Sequence, residues 1–272
     1  MHRVSLLFHD VYEKDPRESG FASEAADRYK LPIADFDAQL AGLQEMCGVR
    51  LQEGSAPHRD TFLLTFDDGG ISYYTHIADR LEALGWRGHC FMTTDVIGTK
   101  GFLDAARLRE LDARGHIIGS HSASHPTRFS TLTAAQMREE WSRSRAVLED
   151  ILGHPVEVAS VPGGYFSRAV ARSADEAGLR TLFTSEPTTG PAVEHQCAIV
   201  GRFTIRRGHP AGIARKFVEP APWTRCSAWA TWNAKGLVKP LLGPTYMRVA
   251  DWIHRRPKGL RLPNRESGRR HA

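Results

Sequence analysis

Short apolar, β-branched runs alternate along most of the chain with stretches whose apolar residues recur at helical spacing. The runs predict strands at 4–8, 61–66, 88–93, 116–119, 156–161, 180–184 and 199–205. Between them, helices are predicted at 72–84 (Ile77, Leu81, Leu84), 104–114 (Leu108, Leu111), 133–152 and 167–177. Thr133 and Gln136 stand in capping-box spacing at the start of the third of these. Residues 10–40 are polar and acidic, and read as a long loop feeding a helix at 35–46. A loop of that length is either a lid or plain surface. Strand–helix alternation predicts an α/β fold with a parallel sheet, open or closed into a barrel. In such folds chemistry gathers at the C-terminal ends of the strands.

Composition refines this picture. The 272 residues are 41% hydrophobic and 25% charged, ordinary for a globular protein able to bury a core without disulfides. Cys47, Cys90, Cys197 and Cys226 form no CxxC pair, so neither a disulfide framework nor a thiolate metal site is expected. No run of 18 apolar residues exists, and the opening MHRVSLLFHD turns charged too soon for a secretory leader. The expected location is cytoplasmic. The net charge of +5 is unevenly spread: residues 211–272 hold 13 basic and three acidic side chains, so the preceding residues are net acidic. The expected division is therefore a main domain at 1–210 and a basic extension at 211–272. That extension carries Trp223, Trp229, Trp232 and Trp252 among Lys235, Lys239, Arg248, Arg255 and Arg256. Such a mixture suits a membrane interface, or equally a small helical subdomain with a solvated basic face. No nucleic-acid partner is expected.

Several strand ends carry chemistry. TFDDGG (65–70) closes the second strand with two carboxylates and two glycines. There one carboxylate can bind a cation while its neighbour stays free. HSASH (121–125) puts His121 and His125 at i, i+4, so that on one helical turn both reach one metal; with Asp68 they leave coordination positions open. SVPGGYF (160–166) is a small turn able to present backbone N–H groups to an oxyanion, with Tyr165 able to stack on a sugar. His9 ends the first strand. Each feature has a plainer reading as well: a helix-capping turn, loop histidines bonded to backbone, an ordinary strand-to-helix turn.

Taken together and in this order, TFDDGG, GHIIGSHSASH and VPGG resemble the NodB-homology polysaccharide deacetylases, the fourth carbohydrate-esterase family, over residues 4–205. The resemblance implies a distorted (β/α)7 barrel that removes acetyl groups from N-acetylated sugars with a divalent metal, zinc by expectation. It implies Asp67 as general base, Asp68, His121 and His125 as metal ligands, and Pro162 and Gly163 as the turn lending a backbone N–H to the oxyanion. Two departures stand out. Where many members carry an Arg two residues before the proline, this chain has Ser160, so the base must be oriented from elsewhere, with Arg202 as candidate. The family's Leu-x-His is best matched by LLFHD (6–10), at the other end of the chain. That order resembles the circularly permuted exopolysaccharide deacetylases and implies His9 as the acid, with His254 as rival. An N-acetylated glycan, or a lipid-linked precursor met at the inner face of the membrane, is the implied substrate. An amidohydrolase of the same fold and a glycan-binding pseudoenzyme are the competing readings.

Overall fold

The computed structural model describes residues 4–52 (48–52 as backbone only), 62–164, 166–190, 192–219 and 223–233. In chain order the strands are β1 (Val4–Phe8), β2 (Val11–Tyr12), β3 (Leu31–Pro32), β4 (Phe62–Phe66), β5 (His89–Met92), β6 (Ile117–Ser120), β7 (Val158–Ser160), β8 (Thr181–Phe183), β9 (Ala192–Glu194), β10 (Cys197–Val200) and β11 (Phe203–Thr204). The helices are α1 (Glu24–Asp27), α2 (Ile33–Gln52), α3 (Ala78–Ala83), α4 (Ala105–Ala113), α5 (Ala134–Leu152), α6 (Arg168–Glu176) and α7 (Ile213–Val218).

One sheet runs β11-β1-β4-β5-β6-β7-β8-β10-β9. All its pairings are parallel except that of β9 with β10. All five residues of β1 are buried, as a strand covered on both faces requires. The predicted seventh strand at 199–205 is in fact two. Val200 ends β10 beside β8, and Phe203 begins β11 beside β1, on the opposite side of the sheet. Three Cα steps span at most about 11 Å, so the sheet must curl until these sides nearly meet. The result is the expected barrel-like α/β architecture, a curled half-barrel whose two sides are linked through Gly201 and Arg202. Gly201 is required there: a Cβ would overlap Thr188 Oγ1 and lie 2.5 Å from the Glu186 carbonyl.

The outer helices follow their sequence signals. In α5 the Thr133–Gln136 capping box forms, Gly153 ends the helix at φ 76°, and Met137, Trp141, Ser144 and Leu148 make the buried stripe. Asp104 and Ser167 cap α4 and α6 through their side chains.

Residues 10–32 correct the loop reading. They hold the parallel pair β2–β3, a 3-10 turn at Pro16–Glu18 closed by an Asp15 capping box, and α1. The helix that follows starts at Ile33 rather than 35 and runs to Gln52. Two-residue strands and a four-residue helix are too short to show a period in sequence.

The chain divides into two compact units, Met1–Trp229 and Ala230–Ala272. In the first, α7 packs on the barrel: Phe217 stacks 4.9 Å from Phe203, and Ala214 N–H donates to Gln39 Oε1. Among the described residues no helix is long and apolar enough to cross a membrane. Thr61, Trp252, His254 and the basic residues from Lys235 onward lie outside the described residues.

Candidate active site

The parallel sheet brings the ends of β1, β4, β6 and β7 to one rim. Asp67 N–H donates to the Phe8 carbonyl, and His121 N–H to the Met92 carbonyl, so each strand end is tied to its neighbour. One ligand atom from each of Asp68, His121 and His125 lies within 4.8 Å of the others, the spacing of a three-ligand metal site. Both imidazole Nε2 atoms stand 3.5 Å from Asp68 Oδ1. His121 Nδ1 is 2.9 Å from the Ser160 carbonyl. A carbonyl can only accept, so Nδ1 carries the hydrogen and Nε2 is the atom turned toward Asp68 and able to bind a cation. That is the arrangement a metal-binding histidine needs, so the residues fit a divalent ion.

The route to this geometry differs from the helical turn expected for HSASH. Ser122 (φ 63°) and His125 (φ 55°) are left-handed, so 121–125 is a tight loop. Asp68 (φ 77°) shares this conformation, and only one other non-glycine among the described residues does. Left-handed backbone is costly for residues with a Cβ, and it collects where the surroundings over-determine it. Here α5 does so. The Glu140 carboxylate accepts from Ala123 N–H, Ser124 N–H and Ser124 Oγ, at 2.7–3.0 Å. Ser122 Oγ accepts from His125 N–H at 3.1 Å.

Asp67 stands apart from the triad. Arg202 grips it with two bonds, Nη1 to Oδ1 at 2.7 Å and Nη2 to Oδ2 at 2.8 Å. Ser160 Oγ accepts from Arg202 Nη2 at 2.7 Å and donates to Asp67 Oδ2 at 3.0 Å. Arg202 Nε donates to the Thr184 carbonyl, and Nη1 also reaches Thr65 Oγ1. All five guanidinium hydrogens are thus used, and the side chain is fully buried between the Phe91 and Phe183 rings. Sequence singled out Arg202 only as a candidate for this place; Thr65 carried no signal.

The electrostatics divide the two carboxylates. Burial opposes ionisation of Asp67, but Arg202 and then His121 outweigh it and hold the group below the usual carboxylate range. Asp68 too is held well below the usual carboxylate range, because the His121 imidazole beside it outweighs its burial. His121 is raised, because Asp67 and Asp68 outweigh its burial. His125 is lowered by burial and by the neighbouring His121.

His9, half-buried, packs 4.8 Å from the Tyr29 ring, and its buried Nδ1 has no hydrogen-bond partner. Next to it Asp10 Oδ1 accepts from Ser19 Oγ (2.5 Å) and Ser72 Oγ (2.7 Å), while its buried Oδ2 has no partner. Burial raises the Asp10 pKa. The glycines of TFDDGG answer to these neighbours. A Cβ on Gly70 would overlap the Asp10 carboxylate and lie 2.6 Å from Ser19 Oγ; one on Gly69 would overlap the Met92 sulfur.

Pro162, Gly163 and Gly164 form the turn after β7. Gly163 is exposed with φ 63°, and among the described residues its N–H has no hydrogen-bond partner. Tyr165, expected beside it, lies outside the described residues.

The polysaccharide deacetylase family model matches residues 54–182. A chitin deacetylase from Pestalotiopsis sp is 32% identical over 127 residues, 43% of this chain and 42% of that one. The peptidoglycan-N-acetylmuramic acid deacetylase PdaA of Bacillus subtilis (strain 168) is 28% identical over 157 residues, covering 56% and 58%. The chain thus spans less than two thirds of the length of these curated relatives. Among solved structures, the Streptococcus pyogenes deacetylase PplD in complex with acetate superposes with TM-score 0.65 at 17% identity, over 81% of this chain and 99% of that one. A de-N-acetylase from Aggregatibacter actinomycetemcomitans gives 0.64 at 16%, over 79% and 99%. These structural likenesses speak for the fold. The matched segment carries the paired carboxylates, both histidines and the proline–glycine turn, and over residues 54–182 the chain is similar to the polysaccharide deacetylase family.

Proposed function

We propose that the protein is a metal-dependent hydrolase that removes N-acetyl groups from an N-acetylated sugar. The observation that carries this reading is the division of the adjacent carboxylates: Asp68 faces two imidazoles, and Asp67 is held ionised by Arg202 and Ser160. Asp68, His121 and His125 would hold the ion, zinc by preference for this His/His/Asp donor set. A divalent ion there would supply Lewis acidity, lowering the pKa of water and polarising the acetyl carbonyl. Asp67 takes the proton of the attacking water as that oxygen bonds to the carbonyl carbon. The Gly163 N–H donates to the developing oxyanion. His9 gives its proton to the departing nitrogen as the C–N bond breaks, releasing acetate and a free amine. Support for His9 is its place at the end of β1, beside the strand end that carries Asp67 and Asp68.

Acetate release from a panel of acetylated glycans by metal-loaded protein tests this reading. Asp67→Asn is expected to keep its metal and lose turnover, on the order of 10²-fold or more. Near-normal deacetylation by that variant would refute the role of Asp67. His9→Ala is expected to behave alike.

For the C-terminal segment we propose peripheral contact with anionic lipid, which would suit a lipid-linked substrate at the inner membrane face. Trp223 and Trp229, 83% and 51% exposed, and the basic residues that follow support it. Equal vesicle cosedimentation by the full chain and a chain ending at 213 would sink it.

A further inference from the structure

One wall of the site is built around a buried cation. Lys30 is 1% exposed. Its Nζ donates to the carbonyls of Pro16, Ser19 and Phe21, each at 2.7 Å. An ammonium has three hydrogens and all are used, with the Asp27 carboxylate 3.6 Å away as counter-charge. Burying a lysine costs free energy that an apolar side chain would not, so its presence calls for a reason.

What it gathers supplies one. The three carbonyls belong to the turn that ends in Phe21, and that ring packs 5.0 Å from Phe102 and 5.0 Å from His125. Gly20 N–H donates to the Gly101 carbonyl, joining the turn to the loop that carries Phe102. Immediately before Lys30 in sequence, the Tyr29 ring packs on His9 at 4.8 Å. One ammonium thus fixes two half-buried rings, each against a different histidine of the rim. Beside Phe21, Gly20 and Ala22 line a surface cleft with Arg17, Lys100 and Gly101, so solvent-accessible space reaches this wall.

We propose that Lys30 is the positioning residue of a substrate-facing wall in which Phe21 gives a sugar ring its apolar platform and Tyr29 holds His9 in line. The inference rests on the deacetylase reading. A pyranose offers a face of C–H groups that packs on an aromatic ring, and the proposed reaction leaves the sugar beside His125, which Phe21 touches. Phe21 acts on binding, Tyr29 on proton delivery, and Lys30 on both.

The test uses the full chain loaded with a single divalent metal and two substrates: an N-acetylglucosamine tetramer, and 4-nitrophenyl acetate, which carries no sugar. Phe21→Ala is expected to raise the KM for the tetramer about tenfold with kcat and ester turnover little changed. Tyr29→Ala is expected to lower kcat on the tetramer, whose amine needs a proton, more than on the ester, whose phenolate leaves without one. Lys30→Met, which keeps the apolar stem, is expected to show both effects, with metal content as in wild type. An unchanged KM in Phe21→Ala overturns the proposal, and so does a Lys30→Met variant that loses metal, ester turnover and tetramer turnover together. Should Lys30→Met fail to fold, the two ring variants decide. If wild type releases no acetate from the tetramer, the deacetylase reading fails, and calorimetric tetramer affinity still judges the wall. A tenfold loss in Phe21→Ala upholds it, and equal affinities refute it.

Discussion

Asp67 and Asp68 are consecutive residues, yet they belong to differently built halves of the site. The Asp68 half is local: its two histidine partners come from a single five-residue loop, and its backbone is left-handed at Asp68, Ser122 and His125. The Asp67 half is assembled from afar, since Arg202 lies 135 residues away in sequence. Its hydrogen bonds are complete, and neither Asp67 nor Arg202 has positive φ. One half stores strain that a ligand set can use. The other stores a buried ion pair that is neutral only when whole. Substitutions should therefore act in opposite senses on the two.

The largest effect is expected from Arg202→Leu. It leaves Asp67 buried without its cation, which typically costs about 3–5 kcal/mol. At roughly 2–4 °C per kcal/mol for a unit of this size, the melting temperature should fall on the order of 10 °C. The sign with pH follows from the depressed Asp67 pKa: in wild type its contribution is present above the ordinary carboxylate pKa and is lost as pH falls through the depressed value. The variant buries Asp67 more cheaply once it is protonated. The stability gap between the two should narrow on acidification, and a gap that widens would contradict the ion-pair account.

On the strained side, His125→Gly removes a ligand and relieves a left-handed residue. Relief of about 1–2 kcal/mol is offset by roughly 0.5–1 kcal/mol of added chain entropy. The metal-free variant should therefore unfold within about 1 kcal/mol of metal-free wild type, while its metal content collapses. Denaturant titration of both proteins checks this; a loss beyond about 2 kcal/mol would mean that the loop is not strained.

The smallest effect should come from Asp10→Asn, a carboxylate buried without a bonded cation. Its raised pKa means that its contribution to stability is present below the unfolded pKa and is lost as pH rises through the folded value. Wild type should lose ground to the Asn variant as pH rises above the ordinary carboxylate range. This trend is opposite to that of Asp67. A stability difference independent of pH would show that Asp10 stays ionised.

The local half was legible in sequence because its chemistry sits in unbroken motifs at strand ends. Asp68, His121 and His125 could be named from spacing, although the helical turn assumed for the histidines was wrong: nothing in SAS announces left-handed backbone. The distant half was legible only as a gap. Ser160 signalled that a guanidinium was missing, and Arg202 could be suggested but not docked, because its place depends on where one apolar run at 199–205 breaks and crosses the barrel seam. Lys30 gave no signal at all, and Asp10 stood only as the last residue of LLFHD. Burial of a charge is decided by what folds over it, and residues 10–32 consist of elements too short to leave a period.

The seam between β10 and β11 also sets an order of assembly. β1 and β4 are made early and can pair early, but β11, which flanks β1 on its other side, comes near the end of the folded unit. Until Arg202 docks, Asp67 sits in a half-built apolar shell as a carboxylate with no guanidinium beside it. Docking of β11 and charge neutralisation are then one event, and a slow one, because contacts of such sequence separation bear a large loop-closure entropy. A nascent chain released before residue 204 would expose an open sheet edge along β1, the kind of surface on which misassembly starts.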